Sequence, residues 1–544
     1  MNFREASRRM VGKPGFAVWT LAVLTVAMLI LTMVPYVSPY DEGIILSGAA
    51  RVQAGDVPYR DFWTIYGPGG FYALAWLFDL FGDQVIVGRI FDLCMRTMIV
   101  LCAYQIVIRH QPRFVAFACA IMVLALLIVL PFYTFPIFPA LAFILAAALA
   151  TQQMIDGKWP QTAAIGAGLA LGMATLFRHD LGFYGSVAFG LMALGSFIRD
   201  RNFEHLWSLA RFTAGLAIVL APAAAALLVA VPFGDLLSDL IIFPAQVYPK
   251  VRSLPFPSIA GLMGNAFHMR PVGLFSFQIY APLIALAAGA SFAAGRRAQR
   301  PVPSIRPEML AFLLFLTALF FIKGLVRVSP IHMASSVIVA IVLMGVIAPR
   351  AMKATPHVLL WVAALLVIVV PMLGPVAASF REGFHSTALL ADRCRHPAVP
   401  RLTCLATDPD RVAVIRYLRE HGTGGRAVYF GTGRHDKVFV NDVILYFLSD
   451  SRPATKWHEL HPGLQTTAAI QSAMLEEFKA RPPVYVVLDS AWDNVTEPND
   501  SAVSSGITLL DDYLRDRYAP VASYGAFTIF APKGRSSSSG IETP

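Results

Sequence analysis

Long apolar runs are the feature that most limits what this chain can fold into. About eleven stretches approach the roughly 20 mostly apolar residues that a helix needs to cross a bilayer. Of the 544 residues, 56% are hydrophobic and only 14% are charged, which is more apolar surface than a compact soluble core can hide. We therefore predict a polytopic α-helical membrane protein with about 11 transmembrane helices, at residues 16–37, 85–108, 114–131, 137–154, 161–177, 181–198, 212–233, 271–294, 308–324, 332–348 and 358–374.

Basic residues set the predicted orientation of these helices. The segment before the first run carries four of them, Arg4, Arg8, Arg9 and Lys13, which places the N-terminus in the cytoplasm. The first run is too long for a cleaved signal peptide, and no small-residue cleavage site follows it. If successive helices cross the membrane in alternate directions from this start, most basic residues of the loops lie on the cytoplasmic side. An odd number of helices then puts the C-terminus outside. We expect a multi-pass protein of the bacterial inner membrane with a periplasmic C-terminal domain.

The net charge of +10 does not indicate a nucleic-acid partner. The basic residues are dispersed over the predicted cytoplasmic loops, whereas a nucleic-acid surface concentrates them with aromatic residues on one face. They indicate topology and contact with membrane lipids instead. The chain also lacks a Walker loop, a Rossmann fingerprint and a nucleophile elbow, so no motif favours a nucleotide-sugar or ATP-driven mechanism.

The chain changes character at about residue 376, where hydropathy falls. Two strand-like stretches, 427–431 and 484–488, alternate there with two helix-like stretches, 410–420 and 466–479. This pattern predicts a soluble, extracytoplasmic α/β domain at 376–533, after a membrane domain at 1–375. The serine-rich tail, 534–544, is typical of a disordered segment.

Two cysteines test the predicted topology. Cys394 and Cys404 flank Pro397 and Pro400 in the predicted outer domain, where an oxidising periplasm favours a disulfide. The alternative is a pair of free thiols in a cytoplasmic domain, which would also overturn the topology.

An acidic pair opens the first predicted outer loop, 38–84. Asp41 and Glu42 follow the first apolar run directly. Adjacent carboxylates at a membrane boundary repel each other and are poorly solvated, so they usually serve as a base, a cation ligand or a binding contact. The alternative is an ordinary pair of acids at a helix N-terminus, which that position favours electrostatically.

The pattern around this pair resembles the first outer loop of the GT-C superfamily of membrane glycosyltransferases. It runs from Pro39-Tyr40-Asp41-Glu42-Gly43 through an amphipathic stretch at 44–54 to the turn Pro58-Tyr59-Arg60-Asp61-Phe62. This superfamily includes protein O-mannosyltransferases and aminoarabinose transferases, and the chain looks similar to glycosyltransferase family 39. The likeness in layout extends over most of the chain, while its specific residues lie in the first hundred positions.

The resemblance implies a GT-C-like fold and a hexosyl- or pentosyltransferase activity. The donor would be a sugar linked to a polyprenyl phosphate, and the acceptor an extracytoplasmic glycan, lipid or protein of the cell envelope. Asp41 would be the general base, and Glu42 would orient the acceptor. A divalent cation, Mg²⁺ or Mn²⁺, on Asp41 and Glu42 is optional in this superfamily, so a metal cofactor stays open.

The loop departs from the superfamily at one element. Many relatives carry Lys-Pro-Pro further along, whereas this chain has Gly67-Pro68-Gly69-Gly70 and so lacks the lysine that could hold the donor phosphate. Another cation on the predicted outer face must replace it, and the candidates are Arg60, Arg178, Lys250, Arg252, Lys323 and Arg327.

The remaining candidate substrate-binding residues fall at predicted outer helix ends or in the first loop. Arg327 is favoured for the donor phosphate, because an arginine at headgroup depth donates paired hydrogen bonds. The tripeptide Arg178-His179-Asp180 is either a substrate contact or an ion pair that anchors a helix end. The full set of candidates is Arg60, Asp61, Tyr66, Arg178, His179, Asp180, Lys323, Arg327 and His332.

Two further polar groups favour structural roles. His458-Glu459-Leu460-His461 suggests zinc, but the spacing is not His-Glu-x-x-His and no third ligand is indicated. Asp92, between Arg89 and Arg96 in the second run, is expected to form ion pairs inside the helix bundle.

Two other functions remain open. The first is a transporter or flippase of lipid-linked sugar, in which the acidic pair would bind a coupling ion or the substrate. The absence of a fixed internal repeat weakly disfavours a carrier. The second is a non-catalytic assembly protein of the envelope, which would tolerate substitution of Asp41.

Overall fold

The structure is a computed structural model that describes residues 14–261, 276–298, 305–349, 352, 355–387 and 389–534. The basic residues before the first run and the tail from 535 onward lie outside the described residues, as does the start of the run predicted at 271–294. Helices dominate the part that precedes residue 390.

Among the described residues, the membrane part contains fifteen helices, which we number in chain order. They are α1 (Pro14–Leu31), α2 (Asp41–Gln53), α3 (Gly69–Phe81), α4 (Val85–Val107), α5 (Arg113–Val129), α6 (Ile137–Ile155), α7 (Pro160–Phe177), α8 (His179–Asp200), α9 (Glu204–Ala230), α10 (Phe233–Leu237), α11 (Tyr248–Arg252), α12 (Ala281–Ala298), α13 (Pro307–Gly324), α14 (Pro330–Val346) and α15 (Pro356–Thr387). A π-helical segment, Ser238–Val247, joins α10 to α11, and a 3₁₀ turn, Ser276–Tyr280, precedes α12.

Length and composition identify the candidate membrane spans. Within the described ranges, seven helices are long and apolar enough to cross a membrane, and four shorter apolar helices accompany them. Each predicted apolar run overlaps one helix. The protein is therefore a multi-pass, mostly helical membrane protein. The apolar 13-residue helix α3, inside the first predicted outer loop, was not anticipated from the sequence.

Helix α4 carries three charged residues through the bundle. Arg96 pairs with Asp92 at 2.6 Å, both side chains are buried, and the same guanidinium donates to the carbonyl of Pro131 at 2.6 Å. The expected ion pair within the bundle is thus confirmed for Arg96. Arg89 turns instead toward Glu42 in α2. Pairing of this kind is what makes buried charge tolerable in a membrane.

The C-terminal part is an α/β unit built on a five-stranded sheet. Its elements are α16 (Leu390–Arg395), α17 (Pro409–Glu420), β1 (Ala427–Thr432), α18 (Ile444–Ser449), β2 (Arg452–Pro453), α19 (Ala468–Ala480), β3 (Tyr485–Asp489), α20 (Leu509–Arg517), β4 (Tyr518–Tyr524) and β5 (Phe527–Pro532), with 3₁₀ turns at Pro400–Leu402 and Asp500–Ala502. The sheet order is β2-β1-β3-β5-β4, parallel across the first three strands and antiparallel across the last three. Both predicted strands are present, and a disulfide joins Cys394 to Cys404.

The sheet unit holds the first outer loop through α18. The Ile444 amide donates to the Pro39 carbonyl at 2.9 Å, and the Ser47 hydroxyl donates to the Val443 carbonyl at 3.0 Å. A Cβ atom at Gly43 would lie only 2.4 Å from the Ile444 nitrogen. Only glycine therefore allows α2 and α18 to approach this closely.

Candidate active site

Asp41 is the first residue of α2 and lies partly exposed between the membrane helices and the sheet unit. The Tyr133 hydroxyl, from the loop between α5 and α6, donates a hydrogen bond of 3.0 Å to its Oδ2. Burial raises the pKa of Asp41 above its usual range, while the Tyr133 hydrogen bond and the positive charges of Arg252 and Arg327 oppose the rise. A carboxylate in this setting can accept a proton.

Glu42 has a different environment, although it is the next residue. Its side chain is fully buried, and Arg89 donates to Oε1 at 2.5 Å and to Oε2 at 2.7 Å. The amides of Ser38 and Thr134 donate to the same carboxylate at 3.2 and 3.3 Å. The sequence predicted that this carboxylate orients the acceptor or holds a cation. Its oxygens instead accept hydrogen bonds from these four protein donors.

The described residues do not fit a metal centre at this pair. No group of three or more His, Cys, Asp or Glu side chains within the described ranges is placed to hold a metal ion. With Glu42 bound to Arg89, Asp41 would be left as a lone carboxylate ligand.

Two arginines face Asp41 from different segments. Arg327, in the loop between α13 and α14, donates to Glu497 at 2.6 and 2.8 Å. Arg252, at the end of α11, is buried and donates to the Phe439 carbonyl at 2.5 Å. Both lower the pKa of Asp41, so both lie within electrostatic reach of its carboxylate.

Tyr248 interacts electrostatically with both of these arginines and with Asp41. Burial raises the pKa of its phenol, and the phenol also interacts electrostatically with Arg178. Nothing in the sequence predicted a role for Tyr133, and Arg252 was predicted only as one of six possible cations. A tyrosine before a short basic segment was the only sequence signal for Tyr248.

A second cationic group lies at the junction of α7 and α8. Arg178 makes a paired contact with Asp180 at 2.7 and 3.0 Å, and the Lys323 ammonium lies 3.3 Å from the same carboxylate. Two cations share one anion, so this Arg178–Lys323 cluster carries one excess positive charge. The Arg178 guanidinium also lies 5.7 Å from the ring centre of Tyr66, in the first outer loop.

Comparison with known proteins gives matches in structure only. No family model matches the chain, and no curated protein matches its sequence. ArnT from Cupriavidus metallidurans matches in its undecaprenyl phosphate-bound structure, with a TM-score of 0.56 and 14% identity over 95% of this chain and 98% of that one. Its apo structure matches with a TM-score of 0.58 and 13% identity over the same shares. An oligosaccharyltransferase from Archaeoglobus fulgidus matches with a TM-score of 0.52 and 12% identity, over 87% of this chain and 69% of that one.

The fold is similar to those of ArnT and the archaeal oligosaccharyltransferase. The resemblance seen in the first outer loop is thereby confirmed at the level of fold. The match to ArnT runs through the membrane helices and the C-terminal sheet unit together, since it covers nearly all of both chains.

The glycines that depart from the GT-C loop pattern serve a close contact. A Cβ atom at Gly67 would lie 2.2 Å from the Leu176 carbonyl oxygen, and one at Gly69 would lie 2.9 Å from the Leu176 side chain. Leu176 is two residues before Arg178. The loop segment that lacks the lysine is thus packed against the helix end that presents an arginine.

The structure brings only some of the predicted site residues together. Tyr66 and Arg327 lie within electrostatic reach of Asp41. Tyr66 also contacts Arg178, which shares Asp180 with Lys323. His179 begins α8 beside the Arg178–Lys323 cluster, and His332, bonded to the Ser329 hydroxyl at 2.8 Å, lies within electrostatic reach of Lys323 and Arg327. Arg60 and Asp61 instead pair with each other at 2.7 Å on a separate cavity near the C-terminal end of α2.

The histidine-rich segment of the sheet unit is buried beside Tyr40. The Tyr40 hydroxyl bonds to His461 Nε2 at 2.8 Å and donates to the Leu460 carbonyl at 3.0 Å. Burial raises the pKa of Glu459 well above its usual range. The described part of the chain supplies no third ligand here, so the geometry, like the sequence spacing, does not favour zinc.

Proposed function

We propose that this protein is a membrane glycosyltransferase that moves a sugar from a polyprenyl-phosphate-linked donor to an acceptor outside the cytoplasm. One observation carries the proposal: Asp41, oriented by Tyr133, lies with Arg252 and Arg327 in a region that also holds the positive Arg178–Lys323 cluster. Sugar transfer from such a donor requires a base for the acceptor hydroxyl and cations for the leaving phosphate. The likeness to ArnT, solved with undecaprenyl phosphate, supports the lipid donor.

The proposed step is a direct displacement at the anomeric carbon. An acceptor hydroxyl attacks this carbon, and Asp41 takes the hydroxyl proton as the new glycosidic bond forms. The bond between the anomeric carbon and the phosphate oxygen breaks, and the polyprenyl phosphate leaves with the electron pair. General-base assistance of this kind contributes about 10² to 10⁴ in rate.

We assign the leaving phosphate to Arg178 and Lys323 rather than to Arg327 alone. Arg327 forms a paired contact with Glu497, which neutralises it locally, whereas Arg178 and Lys323 share the single carboxylate of Asp180. The cluster with excess charge is the better partner for charge that develops during the reaction. Its position beside Gly67 also supports Arg178 as the replacement for the missing loop lysine.

Glu42 is a positioning residue in this scheme. Its buried pair with Arg89 fixes the first turn of α2 to α4. Arg89 also donates to the carbonyls of Val34 and Tyr36, so the chain entering α2 is fixed as well. Asp41 is thereby held in one orientation, and the scheme needs no metal ion.

The proposed topology has eleven spans, a cytoplasmic N-terminus and a periplasmic sheet unit at 376–533 in the bacterial inner membrane. The Cys394–Cys404 disulfide supports it, because disulfides persist in oxidising compartments such as the periplasm.

Mass spectrometry of cells with and without the protein tests the function. We expect the polyprenyl-linked sugar to accumulate and an envelope glycan, lipid or protein to lose one sugar when the protein is absent. Asp41→Asn should reproduce both changes. The control is Asp156→Asn, which alters an acid paired with Arg109. This pair lies at the other membrane face in the proposed topology, so the control should reproduce neither change. Unchanged donor pools and glycans in the absence of the protein would refute the proposal.

A further inference from the structure

A cavity of about 880 Å³ lies between the C-terminal half of α2, the turn that follows it and the β2 edge of the sheet. We call it the α2–β2 cavity. Ser47 and Arg51 line it on the α2 side, and residues 450–456 line it on the sheet side. Asp41 and Arg178 are not among its lining residues, so it is separate from the candidate active site. Its volume falls within the roughly 300 to 1,000 Å³ of small-molecule sites.

The lining of the α2–β2 cavity is charged, with an excess of cations. Six cationic and four acidic side chains contribute to it. Apolar ligands prefer pockets lined by hydrophobic and aromatic groups, so this composition indicates a hydrophilic ligand. Asp83 and Asp235, outside the lining, pair with Arg401 and Lys456, so the positive charge left for an anionic ligand is that of Arg452 and Arg481.

The acids of the lining are already engaged by the protein. Arg51 pairs with Asp56 at 2.7 Å, and the other first-loop pair, Arg60 with Asp61, has the same separation. Across the cavity, Arg401 pairs with Asp450 at 2.9 Å. The fourth acid, Glu477, accepts a hydrogen bond of 2.8 Å from the backbone amide of Lys456.

Two cationic side chains remain available in the lining. Arg452 and Arg481 are exposed, and neither forms an ion pair with any residue in the described ranges. Guanidinium groups bind carboxylate and phosphate oxygens through paired hydrogen bonds, so these donors match an anionic ligand.

We propose that the α2–β2 cavity binds an anionic saccharide, as a docking site for the acceptor glycan. The choice of a saccharide rests on the proposed function, while the negative charge rests on the lining alone. Asp41 and Arg51 lie about 15 Å apart along the axis of α2. One rigid helix therefore carries the base at one end and the cavity wall at the other.

Direct binding to the full-length protein in lipid nanodiscs tests this proposal without a transfer reaction. The probes are an oligogalacturonate and a neutral malto-oligosaccharide of the same length. The oligogalacturonate should bind more tightly, and its affinity should fall as salt is raised. The double variant Arg452→Gln/Arg481→Gln should weaken its binding about tenfold or more, since each substitution removes a charged donor.

A matched control is available on α17. Arg416 is also exposed without an ion pair among the described residues, but it does not line the cavity, so Arg416→Gln should bind like the native protein. Asp41→Asn should also retain binding, even if the protein proves not to be a transferase. Equal binding of the two saccharides, equal displacement by inorganic phosphate, or indifference to the double variant would each overturn the proposal.

Discussion

The Tyr133 hydroxyl donates a hydrogen bond of 3.0 Å to the carboxylate of Asp41, although 92 positions separate the two residues. The bond stabilises the charged form of Asp41, which is the form that can accept a proton. Burial acts in the opposite direction. The raised pKa of Asp41 therefore reflects a balance between desolvation, which raises it, and the Tyr133 hydrogen bond and nearby arginines, which lower it.

Asp41→Asn is the first prediction. The amide keeps the shape of the side chain but cannot accept a proton, so the transfer rate should fall by about 10² to 10⁴. Binding of the lipid donor should change little, because Asp41 does not contact the phosphate in the proposed scheme. Transfer from a synthetic polyprenyl-phosphate sugar by purified protein measures the rate. A variant that folds and retains a near-native rate would remove Asp41 as the base.

The pH dependence of transfer is the second prediction. Asp41 must be ionised to act, and its pKa is raised, so kcat/KM should fall on acidification at a pH above the usual range for aspartate. Tyr133→Phe removes a bond that favours the carboxylate and should move this acid limb to higher pH. Tyr524→Phe, in β4, is the matched control and should leave the profile unchanged. An acid limb that does not move in Tyr133→Phe would contradict the assigned balance.

Glu42→Gln is the third prediction and separates a structural role from a metal-binding one. The substitution leaves the guanidinium of Arg89 buried without its anion, which typically costs about 3 to 5 kcal/mol when a buried pair is broken. We expect a large fall in thermal stability in detergent, partly restored by Arg89→Met in the double variant. Native stability together with a changed response to Mg²⁺ or Mn²⁺ would instead support the cation role.

The sequence predicted the parts of this fold that depend on local pattern. The apolar runs located the membrane helices, and alternation located β1 and β3, because hydropathy and period are visible within a short window. Strands β4 and β5 were missed. They form an antiparallel hairpin at the end of the chain, where β4 is only partly buried and its alternation is weak.

The candidate site was predicted less completely, because its geometry comes from distant segments. The first-loop pattern identified Asp41, yet nothing local to Tyr133 shows that it reaches that carboxylate. Likewise, Glu42 and Arg89 are each visible as charges near a membrane, but their pairing across 47 positions is a product of the fold. Residue chemistry indicated the acidic pair, and tertiary contacts distinguished Asp41 from Glu42.

Gly43→Ala is the fourth prediction and tests how closely the sheet unit must hold α2. The added Cβ atom would lie 2.4 Å from the backbone nitrogen of Ile444, so α18 must move away. Overpacking of this kind costs about 1 to 3 kcal/mol. We expect a lower melting temperature and faster proteolysis of the sheet unit. Gly190→Ala, in an open position on α8, is the control and should not destabilise the protein. Equal behaviour of the two variants would contradict a tight α2–α18 contact.

The last prediction concerns which cations hold the donor phosphate. Arg178→Gln and Lys323→Met each remove one cation from a cluster that has a single anion, Asp180, so each should weaken binding of undecaprenyl phosphate. A charged hydrogen bond is worth about 1.5 to 3 kcal/mol, which corresponds to a loss of roughly 10- to 100-fold in affinity.

Two other variants of the outer face make this prediction specific. Arg327→Gln should weaken binding less, because the contact with Glu497 already neutralises Arg327. Lys250→Met, at an exposed position on α11, should leave binding unchanged. Titration of the lipid alone into nanodisc-embedded protein measures each affinity, and thermal melts confirm that each variant is folded. A larger loss for Arg327→Gln than for Arg178→Gln would assign the phosphate to Arg327, as the sequence predicted. The contact between Gly67 and Leu176 would then have a packing role only.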